Sequence, residues 1–439
     1  MKPLGDEHGA VRRTRLPSFL RTALGRIAQH PLTHIGPGLI TGVADDDPSG
    51  IATYSQAGAQ LGLNMLWTLP LTYPLMAAVQ SMCARLGRVT GKGLAANIKA
   101  NFPPWVLFGV VFLLVVANTL NIAADVAAMG ESAELVSGWN RHVLTLLFAG
   151  VTLGLQIFVP YHRYVFFLKW LTLALLSYVA VLFTVHVPWG QVLVRTLLPQ
   201  VRLDASTATV VIAIFGTTIS PYLFFWQASE EVEDMSADRR ALVADPSSAP
   251  RELRRIRWDT WSGMLYSNLT AYFIVLATAV TLHARGVVDI QTAGQAASAL
   301  RPLAGDFTFF LFAAGILGVG LIGVPVLAGS SGYALAEALG WKEGLERKAK
   351  DARGFYAVIA AGVLIGVALE YAPINPMKAL FWSAVINGVV AVPLVVIVIL
   401  LSRRPAVMGP FTASRSLIAL GWITALLMGA ATVGMLSFS

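Results

Sequence analysis

The 439-residue chain is 56% hydrophobic and 13% charged, with a mean hydropathy of +0.66. Soluble domains carry about 25% charged residues, so the composition excludes a soluble globular protein and gives a polytopic membrane protein. A single cysteine, Cys83, excludes an internal disulfide framework, and no Cys/His spacing suits a zinc site.

Residues 1–34 are polar and basic, with no apolar core before Ile35. That pattern argues against a cleaved signal peptide and makes the first hydrophobic segment a permanent span. Eleven apolar segments follow, at 35–60, 64–84, 104–129, 142–160, 164–187, 207–235, 260–283, 307–337, 355–371, 377–401 and 415–437. Each is close to the length of about 20 residues that a bilayer requires. The N-terminal segment and every second connection together hold 26 of the 32 Lys and Arg residues. This is the positive-inside pattern. It predicts a multi-pass protein of the cell (plasma or inner) membrane with a cytoplasmic N-terminus and an external C-terminus. The net charge of +8 is thus a topology signal, and a nucleic-acid role needs no weight.

The first span contains Ala44–Gly58, A-D-D-D-P-S-G-I-A-T-Y-S-Q-A-G. A carboxylate at the bilayer centre costs about 2.5–3.5 kcal/mol on insertion scales. Pro48 removes a backbone donor and Gly50 loosens the helix. Irregular backbone at membrane depth survives only where it lines a cavity or is buried in protein. The stretch reads as a helix broken around a cation. In the third span Asp125 is either a site carboxylate, the default for an intramembrane acid, or a group near a helix end that reaches water.

The sixth span, Val210–Met235, carries Pro221 after Gly and hydroxyl residues and then a Gln-Ala pair, as the first span carries Pro48 and then Gln56-Ala57. Five spans separate the starts of the two elements, so the second unit enters from the opposite face. Broken helices at matching places in two inverted units are the best sequence pointer to a midplane transport site. The chain divides into a cytoplasmic segment 1–34, a first five-helix unit 35–187, an external connection 188–206, an inverted unit 207–401, and an eleventh span with the C-terminus at 402–439. Gly323 and Pro325 in the eighth span and Asn387 in the tenth read as packing and bending features, with Asn387 a secondary site candidate.

Asp47 immediately precedes the break and is the expected ligand. Unwinding exposes carbonyls such as Ala44, and Thr217 or Thr218 on the partner helix. Carboxylate, carbonyls, hydroxyls and water make an all-oxygen site suited to Mg²⁺, Ca²⁺ or Mn²⁺. No Cys or His lies near either break, and Met65 and Met235 lie well along their helices. Asp45 and Asp46 point about 100° and 200° away from Asp47 on helical geometry; they either ligate, line a vestibule or cap the half-helix. Glu230, Glu231, Glu233 and Asp234 form either a solvated acidic helix end or a funnel for cations, with Glu230 nearest the site. Gln56 and Gln227 either bond across helices or ligate.

The run G-P-G-L-I-T-G-V-A-D-D-D-P-S-G-I-A-T-Y-S-Q-A-G-A resembles the first-helix signature of the Nramp divalent-metal transporters, in which Asp-Pro-Gly-Asn follows G-P-G and precedes Gln-Ala-Gly. The sixth-span G-T-T-I-S-P-Y matches the place of that family's Met-Pro-His motif. The resemblance covers the whole chain. It implies an all-α LeuT-like fold of two inverted five-helix repeats plus one extra helix, with the first and sixth of eleven transmembrane helices broken. It carries over as ligands Asp47 and the carbonyls of Ala44 and Thr217. The family's Asn falls on Gly50, its Met on Ser220 and its motif His on Tyr222. The third-span Asp-Leu-Ala-Glu pattern keeps Asp125 and loses its Glu at Ala128, and the ninth span lacks the arginine pair of the family's proton route. These departures resemble the Nramp-related magnesium transporter branch. Losing the thioether removes selection for soft metals, and losing Asn enlarges the site, so both point toward Mg²⁺ with Mn²⁺ carried as well.

The expected function is a carrier importing Mg²⁺ and Mn²⁺ by alternating access without proton coupling, the ion partly hydrated. A divalent ion gains about 4.6 kcal/mol across 100 mV, over three decades of accumulation, from about 2.3 kcal/mol per charge. The alternatives are a proton-coupled Mn²⁺/Fe²⁺ transporter of the Nramp type and an organic-solute symporter of the same fold, the latter opposed by Asp45–Asp47. An intramembrane hydrolase would have only Asp47 and Asp125 as its dyad, so an enzyme is not expected. The expected partners are the transported ion and the lipid bilayer, with no cofactor and no obligatory protein partner.

Overall fold

Proline decides where the first and sixth spans break. In the computed structural model, which describes residues 36–159, 168, 171–200, 204–235, 241–345, 347–371 and 375–438, helix α1 (Pro37–Asp45) stops short of Pro48 and α2 (Pro48–Leu61) starts on it. A proline has no amide hydrogen and disfavours helical backbone in the residue before it. Asp47 is accordingly extended, at φ −66° and ψ 172°, and its carboxylate caps the Gly50 amide.

The later helices are α3 (Thr68–Thr90), α4 (Leu94–Asn101), α5 (Pro104–Ser137), α6 (Arg141–Phe158), α7 (Trp189–Leu197), α8 (Ala205–Thr218), α9 (Pro221–Glu233), α10 (Ala249–Thr281), α11 (Thr308–Leu339), α12 (Arg353–Glu370), α13 (Pro376–Ser402) and α14 (Arg415–Phe438). The sixth span breaks as the first does. Ser220, between α8 and α9, is extended at φ −76° and ψ 131°, and Pro221 opens α9 without an amide to satisfy. Helix α1 lies against α9 and α2 against α8, so the two broken helices run antiparallel with their breaks at one level.

Among the described residues, seven helical stretches are long and apolar enough to cross a membrane on length and composition alone. The expected eleven is not reached by that criterion. The halves of the first span, 9 and 14 residues, are each too short to qualify. The expected segment 1–34 lies outside the described residues. So does part of the fifth span, whose described remainder is the turn Leu171–Leu175 and the helix Leu176–Val181.

Helix α10 starts at Ala249 rather than near 260. Its first three turns are charged, and an apolar window misses a helix whose ends pair through i, i+3 contacts such as Arg255–Glu252. Around the breaks, α5 packs on α11, α12 and α13, and α10 lies along α1, α2 and α3. Helices α1 and α10 meet backbone to backbone, because a side chain on Gly42 would overlap the Gly263 carbonyl. Only glycine permits that approach, and it brings the acidic end of α1 beside Ser267.

Candidate metal site between the broken helices

Asp47 is 1% exposed and accepts four hydrogen bonds. The Ser49 hydroxyl and the Gly50 amide donate to Oδ1 at 2.6 and 2.9 Å. The Asn121 amide donates to Oδ2 at 2.9 Å, and the Tyr222 hydroxyl lies 3.2 Å from the same oxygen. Tyr222 also reaches the Ala44 carbonyl at 3.1 Å, so its single proton is shared between two ligand candidates on either side of the first break. Asn121 is held by the Ser383 hydroxyl, which donates to its Oδ1 at 2.5 Å. A relay from α13 through α5 thus fixes the carboxylate. Neither Asn121 nor Ser383 stood out in the sequence; the available signal was that Asn121 lies four residues before Asp125, on the same helical face.

The carbonyls exposed by unwinding are not bare. The Ser220 hydroxyl lies 2.8 Å from both the Gly216 and Thr217 carbonyls, closing the end of α8. A carbonyl has two lone pairs, so Thr217 keeps one for another partner. Thr218 turns its hydroxyl back onto Ile214 at 2.8 Å, inside its own helix and away from the break. Gly50 faces the Thr217 hydroxyl, which a Cβ there would meet at 3.2 Å. The space at Gly50 is therefore bordered by a threonine oxygen and the Tyr54 ring. Gly323 of α11, expected only to pack, abuts the site itself, since a Cβ there would lie 3.0 Å from Cβ of Asp47.

Asp125 is 0% exposed, which sets aside the expectation that it reaches water. Its carboxylate faces the Ser49 amide and the Asp47 charge, with neither oxygen at full hydrogen-bonding distance of a partner. Gln227 and Asn387 are 0% and 1% exposed, and neither side-chain amide has a partner. Buried polar groups almost always find partners, and each exception calls for a water or an ion. Asp45 and Asp46 do not line a vestibule. Both are buried, and the Ser267 hydroxyl lies 2.5 Å from one and 2.9 Å from the other. Their remaining oxygens have no partner. Among the described residues no three His, Cys, Asp or Glu side chains converge as a metal cluster, and the groups around Asp47 are carbonyls, hydroxyls and amides.

Gln56 is turned away from the break. It accepts from the Ile290 amide at 2.9 Å and donates to the Val288 carbonyl at 3.2 Å, beside a cavity of about 190 Å³ that also carries Gln60, Asp289 and Lys378. Beyond the other half, at the end of α9, a cavity of about 400 Å³ is lined by Ser229, Glu233, Tyr333, Glu337, Glu343 and Arg347. The acidic end of α9 is not simply solvated. Glu231 is buried in an ion pair with Arg255, and Glu233 accepts from the Tyr333 hydroxyl at 2.6 Å and the Leu345 amide at 2.9 Å. Glu230 is 3% exposed, and Asp234 is exposed. Burial, followed by the Glu337 and Glu233 charges, pushes the Glu343 carboxyl up to about 9.

The model of the Nramp family (natural resistance-associated macrophage protein-like) matches residues 38–437. A divalent metal cation transporter MntH of Acidiphilium cryptum is 27% identical over 410 residues, covering 87% of this chain and 84% of the relative. One of Mycobacterium tuberculosis is 25% identical over 431 residues, covering 92% and 93%. Among solved structures, the Eremococcus coleocola manganese transporter superposes with a TM-score of 0.72 at 17% identity, over 98% of this chain and 89% of that one. Mhp1, a nucleobase-cation-symport-1 family transporter, superposes at 0.54 with 12% identity, over 92% and 93%. These likenesses give the architecture of two broken helices within a LeuT-type bundle, and the match over 38–437 makes the chain a member of the Nramp family.

Proposed function

We propose that this protein is a carrier that imports Mg²⁺, and Mn²⁺ with it, by alternating access and without an obligatory proton. The observation that carries the proposal is Asp47, a buried carboxylate between two proline-broken antiparallel helices with only oxygen and amide groups around it. Relatives named divalent metal cation transporters support the substrate class, and a family of carriers speaks against an enzyme. The ion contacts Asp47, the Ala44 and Thr217 carbonyls and, through water, the space at Gly50 and Ser220. Ser220 presents a hydroxyl where a thioether would select soft metals. Mg²⁺ sheds water reluctantly and usually keeps several around one or two carboxylates. The unpartnered amides of Gln227 and Asn387 suit such an ion's outer waters.

Two cavities on opposite sides of the breaks, at Gln56 and at Glu233, would serve as the two approaches of a carrier. The inverted repeat over 35–187 and 207–401, the cytoplasmic N-terminus in the cell membrane and membership of the magnesium branch belong to the same proposal. The membrane potential alone supplies about 4.6 kcal/mol per divalent ion at 100 mV. A second reading, proton-coupled transport of Mn²⁺ or Fe²⁺, draws on Asp125, an unpartnered acid beside Asp47. Uptake of Mg²⁺ and Mn²⁺ into proteoliposomes, with lumenal pH followed in parallel, separates the two. Uptake of both ions at constant lumenal pH is expected. Acidification that tracks Mn²⁺, with Mg²⁺ excluded, would establish the second reading instead.

A further inference from the structure

Where α3 ends and α10 and α14 begin, a cavity of about 450 Å³ is lined by Arg85, Arg254, Arg257, Trp261, Ser414 and Ser416. Helices α10 and α14, both within stretches apolar enough to cross a membrane, start at that end, so the cavity lies at a membrane boundary. Arg85 is anchored by donating to the Phe411 and Thr412 carbonyls at 2.9 and 3.2 Å, and its Nε is buried without a partner. Arg254 and Arg257 are exposed, and no carboxylate among the described residues pairs with either. Arg255 between them meets Glu231, Glu252 and Asp259. The helix thus sorts its arginines: Arg255 turns inward to acids, whereas Arg254, Arg257 and Trp261 share the i, i+3, i+7 face. Leu253 and Leu417 add an apolar wall, and Trp258 nearby is 66% exposed, as interfacial tryptophans are.

Three guanidinium groups without acids, two serine hydroxyls and an apolar wall at a membrane boundary are complementary to a phosphodiester carrying acyl chains. Guanidinium groups match phosphate oxygens in pairs, and basic pockets between transmembrane helices bind anionic headgroups. We infer that this cavity is a binding site for the headgroup of an anionic phospholipid, its phosphate between Arg85, Arg254 and Arg257 and its chain along Trp261 and Leu417. The apolar wall has no use for free phosphate, which favours the lipid as occupant.

Native mass spectrometry of the full-length protein in micelles, titrated with phosphatidylglycerol, phosphatidylcholine or inorganic phosphate, tests this. One phosphatidylglycerol per chain is expected at least tenfold tighter than phosphatidylcholine, with inorganic phosphate unable to displace it at millimolar concentration. Arg254→Gln with Arg257→Gln weakens phosphatidylglycerol about 25-fold, about fivefold for each charge, and leaves phosphatidylcholine unchanged. Each single change gives about fivefold. Both arginines are exposed, so the thermal midpoint stays put. Equal affinity for the two lipids, undiminished binding by the double variant, or displacement by inorganic phosphate would each overturn the inference.

Discussion

The side-chain amide of Asn121 donates to Oδ2 of Asp47 at 2.9 Å, and the Ser383 hydroxyl holds the other end of that amide at its Oδ1. The acid at the first break is therefore aimed from the third and tenth spans as well as by its own capping contacts. A hydrogen bond to a charged group contributes about 1.5–3 kcal/mol. Asn121→Ala should weaken half-saturation for Mn²⁺ uptake by about tenfold or more and lower the thermal midpoint modestly, because a buried carboxylate loses a partner. Concentration-dependent uptake into proteoliposomes measures it, and an unchanged half-saturation would remove Asn121 from the site.

Ser220 closes α8 with its hydroxyl at the position where the motif resemblance sets the family's methionine. Ser220→Met brings a thioether to the second break, and soft ligands favour soft ions. Cd²⁺ should then compete with Mn²⁺ far better than it does in the parent, and Mg²⁺ uptake should fall. A competition profile that does not move would break the link between this position and metal selection.

Gly323 leaves 3.0 Å between its missing Cβ and that of Asp47. Gly323→Ala must displace Asp47 or α11, and overpacking of this kind typically costs about 1–3 kcal/mol. Uptake should drop to a small fraction of the parent rate in protein that still elutes as a single species. Full uptake would show that the carboxylate has slack on that side.

Glu343 lies in the connection between α11 and α12, with its carboxyl raised to about 9 by burial and by Glu337 and Glu233. A carboxyl raised on folding favours the fold while it is protonated. That contribution is complete below its unfolded value near 4.5 and is lost as pH climbs toward about 9. Glu343→Gln stays neutral throughout. The midpoint of the variant should rise relative to the parent between about pH 5 and pH 9, followed by scanning fluorimetry. A pH-independent difference would mean that Glu343 is ionised in the fold.

The breaks themselves were legible because proline and carboxylate are costly in an apolar segment, so Pro48, Asp47 and Pro221 announce themselves. What surrounds Asp47 was legible only in part. Tyr222 stood out through the motif it matches, but Asn121 and Ser383 arrive from other helices, and nothing local marks one buried polar residue as facing the site and another, such as Gln56, as facing the Val288–Ile290 loop. The carbonyls of Ala44 and Thr217 lie beside the breaks, where hydroxyls from Tyr222 and Ser220 cover one side of each. The charged start of α10 escaped an apolar window, although its sorted arginines carry both the Glu231 pair and the basic cavity.

In the proposed mechanism Asp47 holds a hard divalent ion between the two broken helices. Equilibrium Mn²⁺ binding to the purified protein, read by electron paramagnetic resonance with Asp47→Asn alongside, tests it most directly. One bound ion in the parent, displaced by excess Mg²⁺ and absent from a folded Asp47→Asn protein, is the predicted result. Undiminished Mn²⁺ binding by Asp47→Asn would contradict the account.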